Sequence, residues 1–127
     1  MPITWALLLM KKLIFFDWDD TVYDSKNQVL PEENKQVLKE LKENEEILIG
    51  IASGRAAFYF KNFDIDWDIY VTNNGQYAKV NDTIIYENKV DDEFKNELIN
   101  WAKKHGGSVV SIHSELGVHH SNIPSQS

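Results

Sequence analysis

Apolar positions along this chain fall into unbroken runs and helical spacings, and the switches between the two mark its elements. Leu13-Ile14-Phe15-Phe16 is an unbroken run ending at Asp17, the pattern of a central strand buried on both faces of a sheet. Polar, turn-rich sequence fills Asp19 to Gln28. Leu30-Pro31-Glu32-Glu33 then opens a helix, with proline at the first helical position and acids in the first turn. Val37, Leu38 and Leu41 form its apolar stripe against Lys35, Lys39, Glu40 and Lys42, and Asn44 ends it. Ile47 to Ala52 is a second unbroken run, so the order is strand, helix, strand, which calls for a right-handed crossover and a parallel sheet. Ala56 to Phe63 predicts a short second helix, and Asp68 to Thr72 a third strand.

Past Asn73-Asn74-Gly75 the order changes. Gln76 to Val80 alternates weakly, Asn81-Asp82 is a two-residue turn and Thr83 to Glu87 is rich in β-formers, which together predict a hairpin. Phe94, Leu98, Trp101 and Ala102 recur at helical spacing until Gly106-Gly107, with Asp91-Asp92 capping the start and Lys103-Lys104 in the last turn. Ser108 to His113 predicts another strand. After Gly117 the periodicity is lost and polar residues take over.

Composition narrows the classes. The chain has 127 residues, 43% hydrophobic and 12% aromatic, the balance of one globular domain. Cysteine is absent, which removes disulfides, thiolate metal sites and a cysteine nucleophile. A net charge of −7 argues against nonspecific nucleic-acid binding. The Ile3–Met10 apolar run is far shorter than the roughly 20 residues of a spanning helix, and its lysines, Lys11 and Lys12, follow it instead of preceding it as in a signal peptide. These features point to a cytoplasmic protein with no membrane partner and an extension in front of Met10. Arg55 is the only arginine beside twelve lysines.

Two segments carry chemistry. "FFDWDDTVYD" sits at the carboxyl end of the first strand, where open α/β sheets bind ligands. Asp17 and Asp19, two apart in extended chain, turn to the same side. A hard cation such as Mg²⁺ relieves their repulsion and leaves positions open to a phosphate. One carboxylate can then attack phosphorus while the other handles the proton. "IGIASGR" ends the second strand: Ser53 offers a hydroxyl, Gly54 lets backbone approach a ligand, and Arg55 can fork onto a phosphate.

With these segments the chain resembles the haloacid dehalogenase-like (HAD) phosphohydrolases, in the Cof-type branch with a large cap after the third strand. "DWDDT" resembles the family's D-x-D-G-T motif, "IASGR" its second motif, and "VTNNGQYAKV" the Asn-Gly segment leading into the cap. The match runs from about Met10 to about Gly117. The resemblance implies an α/β fold, a partial Rossmann-like parallel sheet with the beginning of an α+β cap. Its divisions are an extension over 1–9, a partial core over 10–88, the start of a cap over 89–117 and a polar tail over 118–127. It also implies a Mg²⁺-dependent phosphatase of small phosphorylated metabolites working through an aspartyl-phosphate. Asp17 matches the nucleophile and metal ligand. Asp19 matches the general acid/base, which also gives its backbone carbonyl to Mg²⁺. Thr21 matches the residue that orients the loop, Ser53 and Gly54 the phosphate binders, and Arg55 and Asn74 positions of substrate contact.

The chain departs from the family in two ways. Asp20 stands where the family has Gly, adding a charge beside the site. The family's later Lys and acidic motifs normally lie beyond residue 127, and neither Asp91-Asp92, Lys103-Lys104 nor His119-His120 has the context to replace them. The chain therefore reads as the first half of such an enzyme, with impaired turnover and an exposed half-core that favours self-association. The competing reading is a non-catalytic remnant or interaction module on the same fold. A phospho-acceptor receiver domain would need an acid at the end of the third strand, where Thr72 stands.

Overall fold

The computed structural model of the chain describes residues 11–120. The expected extension over 1–9 and the end of the tail lie outside the described residues, as do the side chains of His119 and His120. Strands β1 (Lys12–Asp17), β2 (Ile47–Ala52) and β3 (Ile69–Thr72) pair in parallel. The antiparallel hairpin β4 (Tyr77–Val80) and β5 (Thr83–Glu87) completes a five-stranded sheet in the order β1-β2-β3-β4-β5.

The expectation of a central first strand is corrected: among the described residues β1 lies at the sheet edge and β2 between its parallel neighbours. Phe16 packs against the core of Trp18, Leu38, Ile49, Ile51 and Trp67, while Leu13 and Phe15 on the opposite face stay 46% and 47% exposed. An unbroken apolar run reports that both faces are apolar, not which strands or layers cover them. Phe15 lies across Gly50, where an added β-carbon would come within 2.5 Å of the ring. That contact needs a glycine.

Helix α1 (Glu32–Glu43) packs on β2 through its buried Leu38. Pro31 takes the N-cap position, one residue before the place expected of it. Lys42 at the helix end donates to Asp68 at 2.7 Å, and the other Asp68 oxygen accepts from the Ile49 amide at 2.9 Å. This charge pair seats the helix on the sheet. The short helix expected over Ala56–Phe63 is a 3-10 segment, Ala57–Asn62, with Ala57 and Phe60 buried.

Between β3 and β4 the backbone turns through three consecutive left-handed residues, Asn73 (φ 54°), Asn74 (φ 55°) and Gly75 (φ 84°). Asparagine and glycine are the residues that tolerate this conformation, so the Asn-Asn-Gly sequence is the turn. Helix α2 (Asp92–Lys104) starts as expected, with the Asp91 side chain accepting from the Glu93 amide at 2.8 Å. A second correction follows it. The sequence shows no strand after Gly117, yet β7 (Gly117–His120) pairs antiparallel with β6 (Val110–His113). Its side-chain pattern is too short and polar to stand out; backbone pairing with β6 makes it a strand.

The β6–β7 turn is latched to the core. Glu115 accepts from the Tyr77 hydroxyl, from Lys61 at 3.1 Å and from Lys79 at 3.3 Å, while the Ser114 carbonyl accepts from the Phe58 amide at 2.7 Å. Burial and the Glu115 hydrogen bond push the Tyr77 phenol above its ordinary range. No helix among the described residues is long and apolar enough to cross a membrane.

Candidate active site

Parallel register sets the site. Asp17 pairs with Ala52 across β1 and β2, so the two motifs leave the sheet side by side at the carboxyl ends of their strands. Asn74 enters from the end of β3, its amide donating to the Ser53 carbonyl at 3.4 Å, and Asn73 donates to the Arg55 carbonyl at 3.0 Å. Ser53 donates in turn to the Val71 carbonyl at 2.9 Å. Three strand ends thus hold one another.

The first loop is wound tightly around Trp18. Its carbonyl accepts from the amides of Thr21, Val22 and Tyr23 at 3.0–3.2 Å, and its fully buried ring stacks on Tyr23 and meets Phe60 and Phe63 edge-on or tilted. Asp20 sits at φ 61°, a left-handed position. That explains why glycine is at home here and why aspartate, one of the few tolerant side chains, is admitted. The Asp20 carboxylate accepts from the Ser25 amide at 3.1 Å.

Of the two carboxylates expected to face one cation, only Asp17 is open. It is exposed at the end of β1, touched by the Thr21 hydroxyl at 3.5 Å. Asp19 is already engaged. Arg55 donates to it through Nε at 2.9 Å and Nη2 at 2.8 Å, and the Ser25 hydroxyl donates at 2.8 Å. These bonds, led by Arg55, hold the Asp19 carboxyl below its ordinary value and raise Arg55 above its own. In this arrangement the Asp19 side chain is turned to Arg55, and the Arg55 fork meets a carboxylate of its own chain. The cause is simple Coulomb attraction between the lone arginine and the nearest acid.

Arg55 is also held from below. Its guanidinium lies 4.2 Å from the centre of the Tyr59 ring, and the Tyr59 hydroxyl accepts from Trp18 Nε1 at 3.2 Å. Sequence reading missed Tyr59 and Ser25. Tyr59 stands four residues after Arg55, one helical turn on, which was its one available signal; Ser25 had none. The Ser53 hydroxyl accepts from the Arg55 amide at 3.1 Å, folding the Ser53-Gly54-Arg55 turn.

A hard cation takes oxygen ligands, and Mg²⁺ is commonly held by one or two protein oxygens with water and substrate phosphate. The Asp17 carboxylate and the Asp19 backbone carbonyl are oxygens of that kind at the strand end, so the donor chemistry fits. Among the described residues no group of three or more His, Cys, Asp or Glu gathers around them.

Comparison with known proteins identifies the family. The family model of haloacid dehalogenase-like hydrolases matches residues 14–126. The provisionally named phosphatase YkrA of Bacillus subtilis (strain 168) is 31% identical over 93 residues, covering 72% of this chain and 35% of YkrA. A hypothetical protein from Geobacillus kaustophilus HTA426 superposes with a TM-score of 0.78 at 28% identity, over 90% of this chain and 45% of its own. The HAD subclass IIB sugar phosphatase BT4131 shares the fold with a TM-score of 0.63 at 23% identity, over 87% of this chain and 44% of its own. The chain thus spans about a third of the curated relative and under half of the two solved structures. With its two motifs side by side at the strand ends and the family model matched over nearly its whole length, this chain belongs to the haloacid dehalogenase-like hydrolases.

Proposed function

We propose that the chain carries the nucleophile and anion-binding portion of a Mg²⁺-dependent phosphohydrolase acting on small phosphorylated metabolites. The observation that carries this reading is the Arg55 fork on Asp19, which joins the two motifs where β1 and β2 leave the sheet side by side. In this reading an Asp17 oxygen attacks phosphorus, a new P–O bond forms as the bond to the leaving oxygen breaks, and an aspartyl-phosphate results. Asp19 gives a proton to the leaving oxygen. It then takes one from the water that attacks phosphorus, which releases phosphate and restores Asp17. The Ser53 hydroxyl, the Gly54 amide and Arg55 hold the phosphoryl oxygens. Mg²⁺, held by the Asp17 carboxylate and the Asp19 carbonyl, would supply neutralising charge.

BT4131 is described as a sugar phosphatase, and a sugar phosphate suits the surroundings here. A cleft of about 420 Å³ that includes Asn73 is lined by Asn88, Ser111 and His113, with Lys89 and Lys95 paired to its acids Glu87 and Asp92, a mixed polar lining able to hydrogen-bond hydroxyl groups. Turnover by this chain is expected to be slow. A phosphate dianion arriving beside Asp17, Asp19 and Asp20 meets a guanidinium that Asp19 already engages, and a missing electrostatic partner typically costs about 10²–10³ in rate.

The test pairs rate with adduct formation. Hydrolysis of p-nitrophenyl phosphate is expected to be slow, to need Mg²⁺ and to vanish in Asp17→Asn. Beryllium fluoride, which mimics a carboxyl-bound phosphoryl group, is expected to give a ¹⁹F NMR signal that needs Mg²⁺ and Asp17. Adduct without turnover favours the non-catalytic module. Neither signal, or signals indifferent to Asp17, overturns the proposed chemistry.

A further inference from the structure

The reading above leaves a conflict at Arg55. The guanidinium offered to a phosphoryl group is occupied through two of its nitrogens, and its occupant is the carboxylate that must be free to move protons. We propose that Asp19 is a built-in competitor for the anion site, so that phosphate binding and release of the Asp19 carboxylate are one exchange on Arg55. The inference rests on the proposed phosphoryl site.

Three observations support exchange of the carboxylate over movement of the arginine. The guanidinium is fixed on the Tyr59 ring at 4.2 Å, and Tyr59 is tied to the fully buried Trp18. The Arg55 amide is tied to Ser53 and its carbonyl to Asn73. The two side chains are equally exposed, at 40% each, but the Asp19 carboxylate keeps a second donor, the Ser25 hydroxyl at 2.8 Å, when Arg55 is withdrawn. Phosphate and carboxylate both match the planar fork, so either can fill it, though not both at once. Substrate binding then delivers a freed Asp19 to the site, and an empty site keeps it locked.

The test is titration with inorganic phosphate, without Mg²⁺, read from backbone amides by NMR. Asp19→Asn is expected to bind phosphate about fivefold tighter than the wild type, the equivalent of a partly exposed ion pair of about 1 kcal/mol. Asp20→Asn removes the same charge one residue away without touching Arg55, and asparagine accepts the left-handed backbone there; its gain is expected to be under about twofold. In an Arg55→Ala background the Asp19→Asn gain is expected to disappear. Equal gains from the two single variants, or a gain that survives loss of Arg55, overturn the exchange while leaving the anion site standing. Amides of residues 53–55 that stay unmoved in every variant overturn both the exchange and the phosphoryl site beneath it.

Discussion

Gly54 and Asn74 touch so closely that a β-carbon on Gly54 would lie 2.6 Å from the Asn74 side-chain oxygen. The contact joins the turn after β2 to the left-handed turn after β3, two segments twenty residues apart.

Gly54→Ala is expected to push Asn74 away and to weaken inorganic phosphate binding by roughly tenfold, about 1.4 kcal/mol. In an Asn74→Ala background the same substitution should cost much less, because the clash is with that side chain. A double-mutant cycle read by phosphate titration checks this, with a coupling of about 0.5–3 kcal/mol expected for residues in contact. Additive effects would place the loss elsewhere.

The Glu115 latch makes stability depend on pH. Burial by itself would raise the Glu115 carboxyl, but the hydrogen bonds from Tyr77, Lys61 and Lys79 outweigh it and bring the group below its ordinary 4.5. A carboxyl lowered in the folded state contributes stability that is present above its unfolded value and is lost as pH falls through the folded one. Glu115→Gln is therefore expected to be less stable than the wild type at pH 7, by about 1–3 kcal/mol. The two should converge as pH falls below 4.5. Urea denaturation across pH 3–7 measures the gap, and a gap that persists unchanged at pH 3 would show that the charge is not its source.

Two buried tryptophans offer an internal comparison. Trp18 Nε1 donates to Tyr59, whereas Trp67 Nε1 is buried with no hydrogen-bond partner among the described residues. An unsatisfied buried donor costs about 1–3 kcal/mol. Trp67→Phe removes that cost along with ring volume, while Trp18→Phe removes ring volume and a made bond. Trp18→Phe is expected to destabilise by more, by roughly 1–2 kcal/mol. Equal losses in thermal or urea unfolding would contradict the assignment.

Leu13 and Phe15 stand exposed on a strand whose outer edge pairs with no other strand among the described residues. Such an edge invites pairing with another chain. Concentration-dependent self-association by sedimentation velocity is the expected result, and Leu13→Lys should reduce it. A monodisperse monomer at high concentration would count against this surface.

What the sequence by itself determined is local. The unbroken runs at 13–16 and 47–52 declare strands, Asp17 follows its run directly, and Asn-Asn-Gly declares the left-handed turn because few other residues accept that backbone. A strand ending in Asp17 and another followed by Ser-Gly-Arg were therefore legible from residue types and their order. Tertiary structure decided everything that depends on partners distant in sequence. It set β1 at the edge, because a run apolar on both faces is the same string of residues whichever strand lies beside it. It made Gly117–His120 a strand, because β6 supplies the backbone partners. It gave Arg55 to Asp19 across 36 residues and Tyr77 to Glu115 across 38. The physical reason is that hydrogen bonds between side chains far apart in sequence exist only once the sheet's register has brought their strand ends together, and no spacing along the chain encodes that register.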